Sequence, residues 1–275
     1  MPSPADLRDR TLFVTGASRG IGEAIAVRAA ADGANVVIAA KTESPHPKLP
    51  GTIHTAAEAV EAAGGRALAV PVDVRDEEAV ERAVERTMAT FGGIDALVAN
   101  AGAIHLAGTL ETPVKRYDLM QDVNVRGAWV CARACLPHLM RAENPHVLMM
   151  APPISLEPRW LAPHLAYTIS KYGMSLSVIG LAAEFREAGV GVNALWPRTV
   201  IATSAVRLLE GVEPEECRTP AIVADAAHAI LVRDAATCTG NFFSDEEVLA
   251  EAGVTDLTPY AVEPGSRLRP DLYVE

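Results

Sequence analysis

The sequence is short of positive charge. Its 275 residues hold 24 lysines and arginines against 35 aspartates and glutamates, which gives a formal net charge of −11. This balance argues against nonspecific binding to nucleic acid or to anionic membranes, because both need an excess of basic side chains. The net negative charge still allows a local basic site that binds a small anion.

Long apolar runs are also missing. No stretch reaches the roughly 18 apolar residues that a membrane span requires. The N-terminal residues MPSPADLRDR lack the apolar core of a signal peptide. We therefore expect a soluble, cytoplasmic protein.

Cysteine is scarce as well. The chain has four, and two of them, Cys131 and Cys135, are one helical turn apart. Their spacing matches neither a zinc site nor a disulfide framework, so we expect free thiols in the core. A metal site through His46 and His54 is conceivable, but no further ligand lies at a suitable spacing and we expect no metal.

The stretch TLFVTGASRGIG, from Thr11 to Gly22, combines a short apolar strand, a glycine turn and the start of an alanine-rich helix. Glycines allow a pyrophosphate to approach the backbone, and the N–H groups of the first helical turn attract its charge. The alternative is a turn with no ligand. The predicted cofactor-binding residues here are Gly16, Ala17, Ser18, Arg19, Gly20, Ile21 and Gly22.

Apolar strand-like runs alternate with helical patterns along the chain. The runs fall at residues 12–14, 35–40, 67–72, 94–99, 146–150, 190–196 and 241–243. This alternation predicts a doubly wound (Rossmann) three-layer α/β fold with a parallel sheet of about seven strands. We expect a single domain over residues 1–275, in which residues from about 245 onward form a short helix and a tail.

Polar residues follow several of these strands. Gly16, Lys41, Asp73 and Asn100 all come at strand ends, where parallel sheets of this type bind their ligands. An acidic residue at the position of Lys41 would hold a ribose hydroxyl, whereas a cation there suits a 2′-phosphate. Together with Arg19, Lys41 therefore favours NADP over NAD, and the alternative is a solvated lysine at a strand end.

Two later helical segments carry polar residues of interest. Asn124 lies in the middle of a helix predicted from Thr112-Pro113 to Met140, and asparagine there needs a hydrogen-bonding reason. Tyr167 and Lys171 are i and i+4 on a helix predicted over 165–187, so they share one face.

Taken together, these motifs resemble the short-chain dehydrogenase/reductase family over residues 7 to 245. The residues that carry the resemblance are TGASRGIG (15–22), Asp73, Asn100-Ala101-Gly102, Asn124 and Tyr167-x-x-x-Lys171. Within the family, segments such as TPVKRYDLMQDVNVRGAW and NALWPRTVIAT are similar to the hydroxysteroid dehydrogenase-like protein 2 subgroup. The mammalian member of the subgroup carries a sterol-carrier domain and a peroxisomal address, and we expect neither in this chain, which ends Tyr-Val-Glu.

The resemblance implies a role for each site residue. Tyr167 exchanges a proton with the substrate oxygen while hydride passes between nicotinamide and carbon, and Lys171 stabilises the phenolate and holds the nicotinamide ribose. Asn124 holds a water that connects Lys171 to solvent. Asp73 is implied to contact the adenine and Asn100 the adenosine ribose, and a carboxamide contact falls to Thr203, one residue later than usual.

Three departures from the family pattern stand out. Ala99 replaces the first asparagine of Asn-Asn-Ala-Gly, and Arg198 replaces the glycine after Pro197. Ile154 stands where the family has the serine that binds the substrate carbonyl. We hypothesise that the adjacent Ser155 takes over that role, and the alternative is an ordinary loop hydroxyl.

The sequence thus predicts an NADP(H)-dependent oxidoreductase acting on an alcohol or carbonyl, with a lipophilic substrate indicated by the apolar residues around the expected site. The competing interpretation is a non-catalytic NADP-binding sensor or scaffold, and a methyltransferase is a third class. We expect a homodimer or homotetramer with a small-molecule substrate.

Overall fold

The computed structural model describes residues 6–45, 49–204, 206 and 211–274. It contains a seven-stranded parallel sheet, which confirms the predicted fold class. The strands are β1 (Thr11–Thr15), β2 (Asn35–Ala40), β3 (Arg66–Pro71), β4 (Ala96–Ala99), β5 (His146–Met149), β6 (Gly191–Trp196) and β7 (Phe242–Ser244).

The strand order is β3-β2-β1-β4-β5-β6-β7. The order reverses between β1 and β4, which pair through Leu12 with Ala96 and Val14 with Val98. In sheets of this kind a crevice opens at the carboxyl ends of the strands at that reversal, and ligands bind there. The glycine turn follows β1 at this edge.

Helices cover both faces of the sheet. They are α1 (Gly20–Ala30), α2 (Ile53–Ala62), α3 (Glu77–Phe91), α4 (Val114–Met120), α5 (Ala128–Leu139), α6 (Pro158–Leu161), α7 (Leu165–Glu184), α8 (Ala221–Leu231) and α9 (Asp245–Glu251).

The core has two layers because successive strand side chains point to opposite faces. On one face Leu12 and Val14 of β1 pack with α1, α2, α8 and α9. On the other, Phe13 packs with α3, α5 and α7. The four cysteines are buried and free, as expected.

The structure differs from the sequence-based expectations in two places. The helix predicted from residue 112 to 140 is interrupted by a π-helical segment, Gln121–Gly127, between α4 and α5. The short helix α6 was not predicted. From the sequence we also expect a helical segment near residues 202–210, and this stretch falls largely outside the described residues. Among those residues, no helix has both the length and the apolar composition to cross a membrane.

Candidate active site

The glycine turn is shaped for close approach. Gly16 and Gly20 have φ values of +67° and +62°, which glycine adopts without strain. A side chain at Gly22 would put its Cβ 2.5 Å from the Asn100 Nδ2, so only glycine fits there. The α1 helix begins directly after the turn, and Arg19 at its N-cap makes no side-chain capping bond. The turn therefore suits an anionic group at the helix N-terminus.

Asn100 braces this turn from the neighbouring strand. Its Nδ2 donates to the carbonyl oxygens of Thr15 (2.9 Å) and Gly16 (3.3 Å). The Thr15 hydroxyl accepts bonds from the backbone N–H groups of Asn100 and Ala101, each at 3.0 Å. These bonds fix β1 and β4 together at the crevice. Asn100 is thus placed as a supporting residue of the turn, and its ribose contact remains a prediction.

Arg19 is oriented by the loop after β2. Its Nε donates to the Pro50 carbonyl at 2.7 Å, and an Nη donates to the Gly51 carbonyl at 2.9 Å. Carbonyl groups are neutral, so they position the guanidinium without cancelling its charge. Lys41 is exposed at the end of β2. His46, one of the two histidines considered as metal ligands, lies outside the described residues.

Asp73, beyond β3, is held by Arg75. The guanidinium approaches both carboxylate oxygens, with contacts of 3.0 and 2.6 Å. Hydrogen bonding to Arg75 keeps the pKa of Asp73 below its usual value, and the charge of Lys41 acts in the same direction. Asp73 is therefore a fixed carboxylate near Lys41, and its predicted adenine contact remains a prediction.

Asn124 lies in the π-helical segment and is fully buried. Its Oδ1 accepts from the Ala103 N–H at 2.7 Å, and its Nδ2 donates to the Ala103 carbonyl and the Ser170 hydroxyl, both at 2.9 Å. This asparagine therefore joins the segment after β4 to helix α7, beside Lys171. Such π-helical turns are frequent at functional sites, and they explain why an asparagine is accommodated inside the helix.

Tyr167 and Lys171 are both buried on α7, at 6% exposure each. The Lys171 ammonium donates to the Met150 carbonyl at 2.6 Å and lies 5.1 Å from the centre of the Trp196 ring. Burial lowers the pKa of Lys171 to about 8. Burial also raises the pKa of Tyr167 well above its usual value of 10, with smaller contributions from Tyr273 and Asp271. The Tyr167 phenol is therefore protonated at neutral pH and suited to donate a proton.

The C-terminal segment, residues 258–274, packs close to Tyr167 and Lys171. The sequence did not indicate this contact. The Asp271 N–H donates to the Arg198 carbonyl, and the Trp196 Nε1 donates to the Leu272 carbonyl. Tyr273 is buried with φ of +66°, a region that bulky residues rarely adopt. Its hydroxyl hydrogen-bonds to Thr168 at 3.0 Å.

An aromatic cluster surrounds Tyr273. The centre of its ring lies between 5.5 and 6.1 Å from four others, those of Trp160, His164, Tyr172 and Trp196. Tyr167 belongs to the same apolar cluster. The surroundings of Tyr167 are thus aromatic and are closed in part by the end of the chain.

Replacing Asp271 with asparagine is expected to stabilise the protein more at pH 8 than at pH 5. Burial raises the pKa of Asp271 to about 7, so above that pH the folded protein holds a desolvated carboxylate. This penalty declines as the pH falls from 7 toward the unfolded value of 3.8. Asparagine keeps an oxygen for the Leu272 N–H. Denaturant unfolding measures the gain in unfolding free energy of the variant over the wild type, and this gain should be roughly 1 to 2 kcal/mol larger at pH 8 than at pH 5. Equal gains at both pH values would contradict this account.

The family model described as short chain dehydrogenase matches residues 10–210. The chain belongs to the short-chain dehydrogenase/reductase family. This confirms the resemblance found in the sequence and makes the chain a member of an oxidoreductase family that binds a nicotinamide cofactor.

Similarity to individual proteins also supports the resemblance to the hydroxysteroid dehydrogenase-like protein 2 subgroup. Hydroxysteroid dehydrogenase-like protein 2 from Danio rerio is 55% identical over 96% of this chain and 64% of its own length. The solved structure of a Xanthomonas campestris protein, whose assignment as a dehydrogenase is provisional, is 62% identical with a TM-score of 0.97, covering 98% and 99% of the two chains. A short chain dehydrogenase from Mycobacterium thermoresistibile is 51% identical with a TM-score of 0.93, covering 98% and 96%. The chain spans 52% to 66% of the length of its curated relatives.

Thr203 lies beside the glycine turn, because a Cβ added to Gly20 would meet its side chain at 3.4 Å. Ser155, the proposed replacement for the family serine, is bonded to Glu157 and to Tyr172. Its Oγ accepts a bond from the Glu157 N–H at 3.3 Å, and its backbone N–H and carbonyl both bond to the Tyr172 hydroxyl. The structure fixes its backbone, and its action on the carbonyl remains a prediction.

Ser155→Ala is expected to lower kcat ten- to a thousandfold with the KM for NADPH unchanged, because one donor at a developing oxyanion contributes an effect of roughly that size. Ser177→Ala is the matched control, since that hydroxyl donates to the Gly173 carbonyl of its own helix and has no other hydrogen-bond partner among the described residues. Steady-state kinetics with both variants distinguishes the roles. An undiminished kcat in Ser155→Ala would remove Ser155 from the mechanism.

Proposed function

We propose that this chain is an NADP(H)-dependent oxidoreductase that transfers hydride between the nicotinamide and an alcohol or carbonyl compound of lipophilic character. The observation that carries the proposal is one shared edge of the sheet. It holds a glycine turn at a helix N-terminus and, across the crevice, the buried pair Tyr167 and Lys171. A protein that only bound a dinucleotide could use Lys171 to hold the nicotinamide ribose, but it would have no use for the Tyr167 hydroxyl.

The residues fit a dinucleotide. Gly16, Gly20 and Gly22 leave room for its phosphates, Thr203 lies beside the turn, and Lys171 would hold the nicotinamide ribose. The bound cofactor supplies the hydride for carbonyl reduction. Tyr167 then gives its phenolic proton to the substrate oxygen, and the Lys171 ammonium stabilises the phenolate that remains. Asn124 positions α7 through Ser170.

Lipophilic substrates are supported by the surroundings of Tyr167. The aromatic cluster around Tyr273 supplies apolar surface, and Ile154 and Leu156 are exposed at 36% and 82% in the segment after β5. Apolar surface of this kind favours a substrate with an apolar body and one polar group.

Oxidation of NADPH tests the activity. The panel consists of medium-chain aldehydes, ketones, steroids and acyl-CoA derivatives. NADPH consumption with any of them supports the oxidoreductase. Tight NADP binding without turnover of any compound would favour the sensor or scaffold, and calorimetric binding of S-adenosylmethionine would revive the methyltransferase.

NADP is expected to bind at least tenfold more tightly than NAD, and Lys41→Asp should reverse the order. The 2′-phosphate gains charge-assisted contacts with Arg19 and Lys41 of roughly 1.5 to 3 kcal/mol each. Lys115→Asp is the control, because it makes the same charge change at an exposed lysine on α4. Fluorescence titration measures the affinities of the wild type and both variants for NADP and NAD, six in all, and equal affinities of the wild type for the two cofactors would refute the preference.

A homodimer or homotetramer is also part of the proposal. Helix α7 exposes Ile169, Leu176 and Ile179 at 42%, 61% and 48%, and α5 exposes Trp129 at 48%. The three positions on α7 recur at helical spacing on one face. A contiguous apolar face of this kind is typical of an interface.

We also propose that the protein is located in the cytoplasm.

A further inference from the structure

His164 lies immediately before helix α7, three residues ahead of Tyr167, and is 6% exposed. The centre of its imidazole ring is 6.2 Å from the centre of the Tyr167 ring and 6.1 Å from that of Tyr273. The imidazole is therefore a neighbour of the ring that carries the reactive hydroxyl.

The Nε2 atom of His164 is buried and has no hydrogen-bond partner within the described part of the chain. Buried polar atoms in folded proteins are nearly always paired, so an unpaired one calls for water or a ligand. Several other side chains also bury an unpaired atom, including His146. The second ring nitrogen of His146 contacts the Arg233 carbonyl, and the residue begins β5 at the opposite edge of the sheet. Among the described residues with such an atom, His164 alone makes a ring contact with Tyr167.

The position of His164 is fixed by its neighbours. Its carbonyl accepts bonds from the Thr168 N–H at 3.1 Å and the Thr168 hydroxyl at 3.3 Å. The same hydroxyl donates to the Trp160 carbonyl at 2.8 Å and bonds to the Tyr273 hydroxyl. The start of α7 and the C-terminal segment are thus held together around the imidazole, which is the preorganisation that an oxyanion site requires.

We propose that His164 is a further catalytic residue, whose Nε2–H donates a hydrogen bond to the substrate carbonyl oxygen that Tyr167 protonates. The inference rests on the proposed function. As hydride adds to the carbonyl carbon, the C–O π electrons move to oxygen, which takes the Tyr167 proton, while the Nε2–H proton stays on nitrogen. Burial lowers the pKa of His164, so the ring is neutral at pH 7 and offers one N–H. A developing alkoxide accepts up to three hydrogen bonds, so Ser155 can act beside it.

Two variants separate hydrogen bonding from packing. His164→Leu keeps apolar volume among the rings but has no donor, whereas His164→Gln keeps an N–H donor and packs less well. A purely structural role predicts that leucine is tolerated at least as well as glutamine. A donor role predicts the reverse order. His138→Leu is the control, because His138 lies near the end of α5, at the edge of the sheet away from the site.

The first measurement is calorimetric binding of octanamide, a carbonyl compound that is not reduced, to the NADP-saturated protein. Loss of one hydrogen bond should weaken binding roughly three- to tenfold in His164→Leu, with His164→Gln within twofold of the wild type.

The second measurement is kcat with the best substrate of the carbonyl panel. It should fall roughly ten- to a thousandfold in His164→Leu, and kcat of His164→Gln should be at least tenfold higher than that of His164→Leu. Melting temperatures verify that each variant is folded.

Octanamide binding that is equal in the wild type and His164→Leu would overturn the assignment. So would a glutamine variant no better than leucine in both measurements, or a wild type that binds no octanamide. Wild-type protein that reduces nothing on the panel refutes the proposed function, but the octanamide order among the variants still decides whether the His164 Nε2–H binds a carbonyl oxygen.

Discussion

Tyr167→Phe is expected to lower kcat by roughly a thousandfold or more while the affinity for NADPH stays within about threefold. In the proposed reaction the phenol is the proton donor, and a positioned acid contributes on the order of 10² to 10⁴ to the rate. Its hydroxyl contributes little to holding the cofactor. Because burial raises the pKa of Tyr167, the proton to be donated is fully present at neutral pH.

Tyr117→Phe serves as the control, since Tyr117 is an exposed tyrosine on α4. Turnover and fluorescence titration of NADPH are measured for both variants. A Tyr167→Phe protein with wild-type turnover would exclude Tyr167 as the proton donor. Loss of cofactor affinity in step with kcat would show instead that the hydroxyl acts in binding.

Lys171→Met is expected to reduce turnover by roughly 10² to 10⁴ while the folded protein becomes no less stable. Methionine has a similar volume but cannot stabilise the Tyr167 phenolate or hold the ribose. Burial lowers the pKa of Lys171 from 10.5 to about 8. That value is still above pH 7, so at neutral pH the folded protein carries a buried ammonium. That burial opposes folding below pH 8, and the opposition disappears as the pH rises from 8 to 10.5.

The variant should therefore gain roughly 1 to 2 kcal/mol of unfolding free energy at pH 7, after allowance for the Met150 carbonyl that loses its donor. The gain should shrink above pH 8. Kinetics and denaturant unfolding across this pH range provide the two readouts, with Lys115→Met as control. Destabilisation at pH 7 accompanied by full activity would contradict the role assigned to Lys171.

Much of the fold could be predicted because its signals are local. The run NVVIAA predicted β2 with the bounds that the structure has, Asn35–Ala40, because both faces of a central parallel strand are buried. The glycine turn was predictable for a similar reason. A Cβ added at Gly22 would lie 2.8 Å from the Gly16 carbonyl oxygen, which belongs to the same turn, so the need for glycine there is partly local.

The π-helical segment was only hinted at. The residues around Asn124 have an ordinary helical pattern, and nothing in it distinguishes a π turn from an α turn. The hint was the asparagine itself, which is a poor residue for a helix interior. Its partners, Ala103 and Ser170, are 21 and 46 residues away, so the reason became visible only in the structure.

The C-terminal segment could not be placed from sequence at all. Its contacts with the site join residues far apart in the chain, such as Thr168 with Tyr273, 105 positions away. The segment is rich in proline and has neither the strand nor the helix period. His164 was missed for a related reason, because a histidine near a helix start gains meaning only when its Nε2 is found buried and unpaired.

Transfer of deuterium tests the central claim most directly. The protein is incubated with NADPH deuterated at nicotinamide C4 and with the carbonyl panel, and the alcohols formed are analysed by mass spectrometry. Hydride transfer predicts one deuterium on the carbinol carbon of at least one product, and the same product should form roughly a thousandfold or more slowly when Tyr167→Phe replaces the wild type. Protein that binds NADP but forms no deuterated alcohol from any compound would contradict the account.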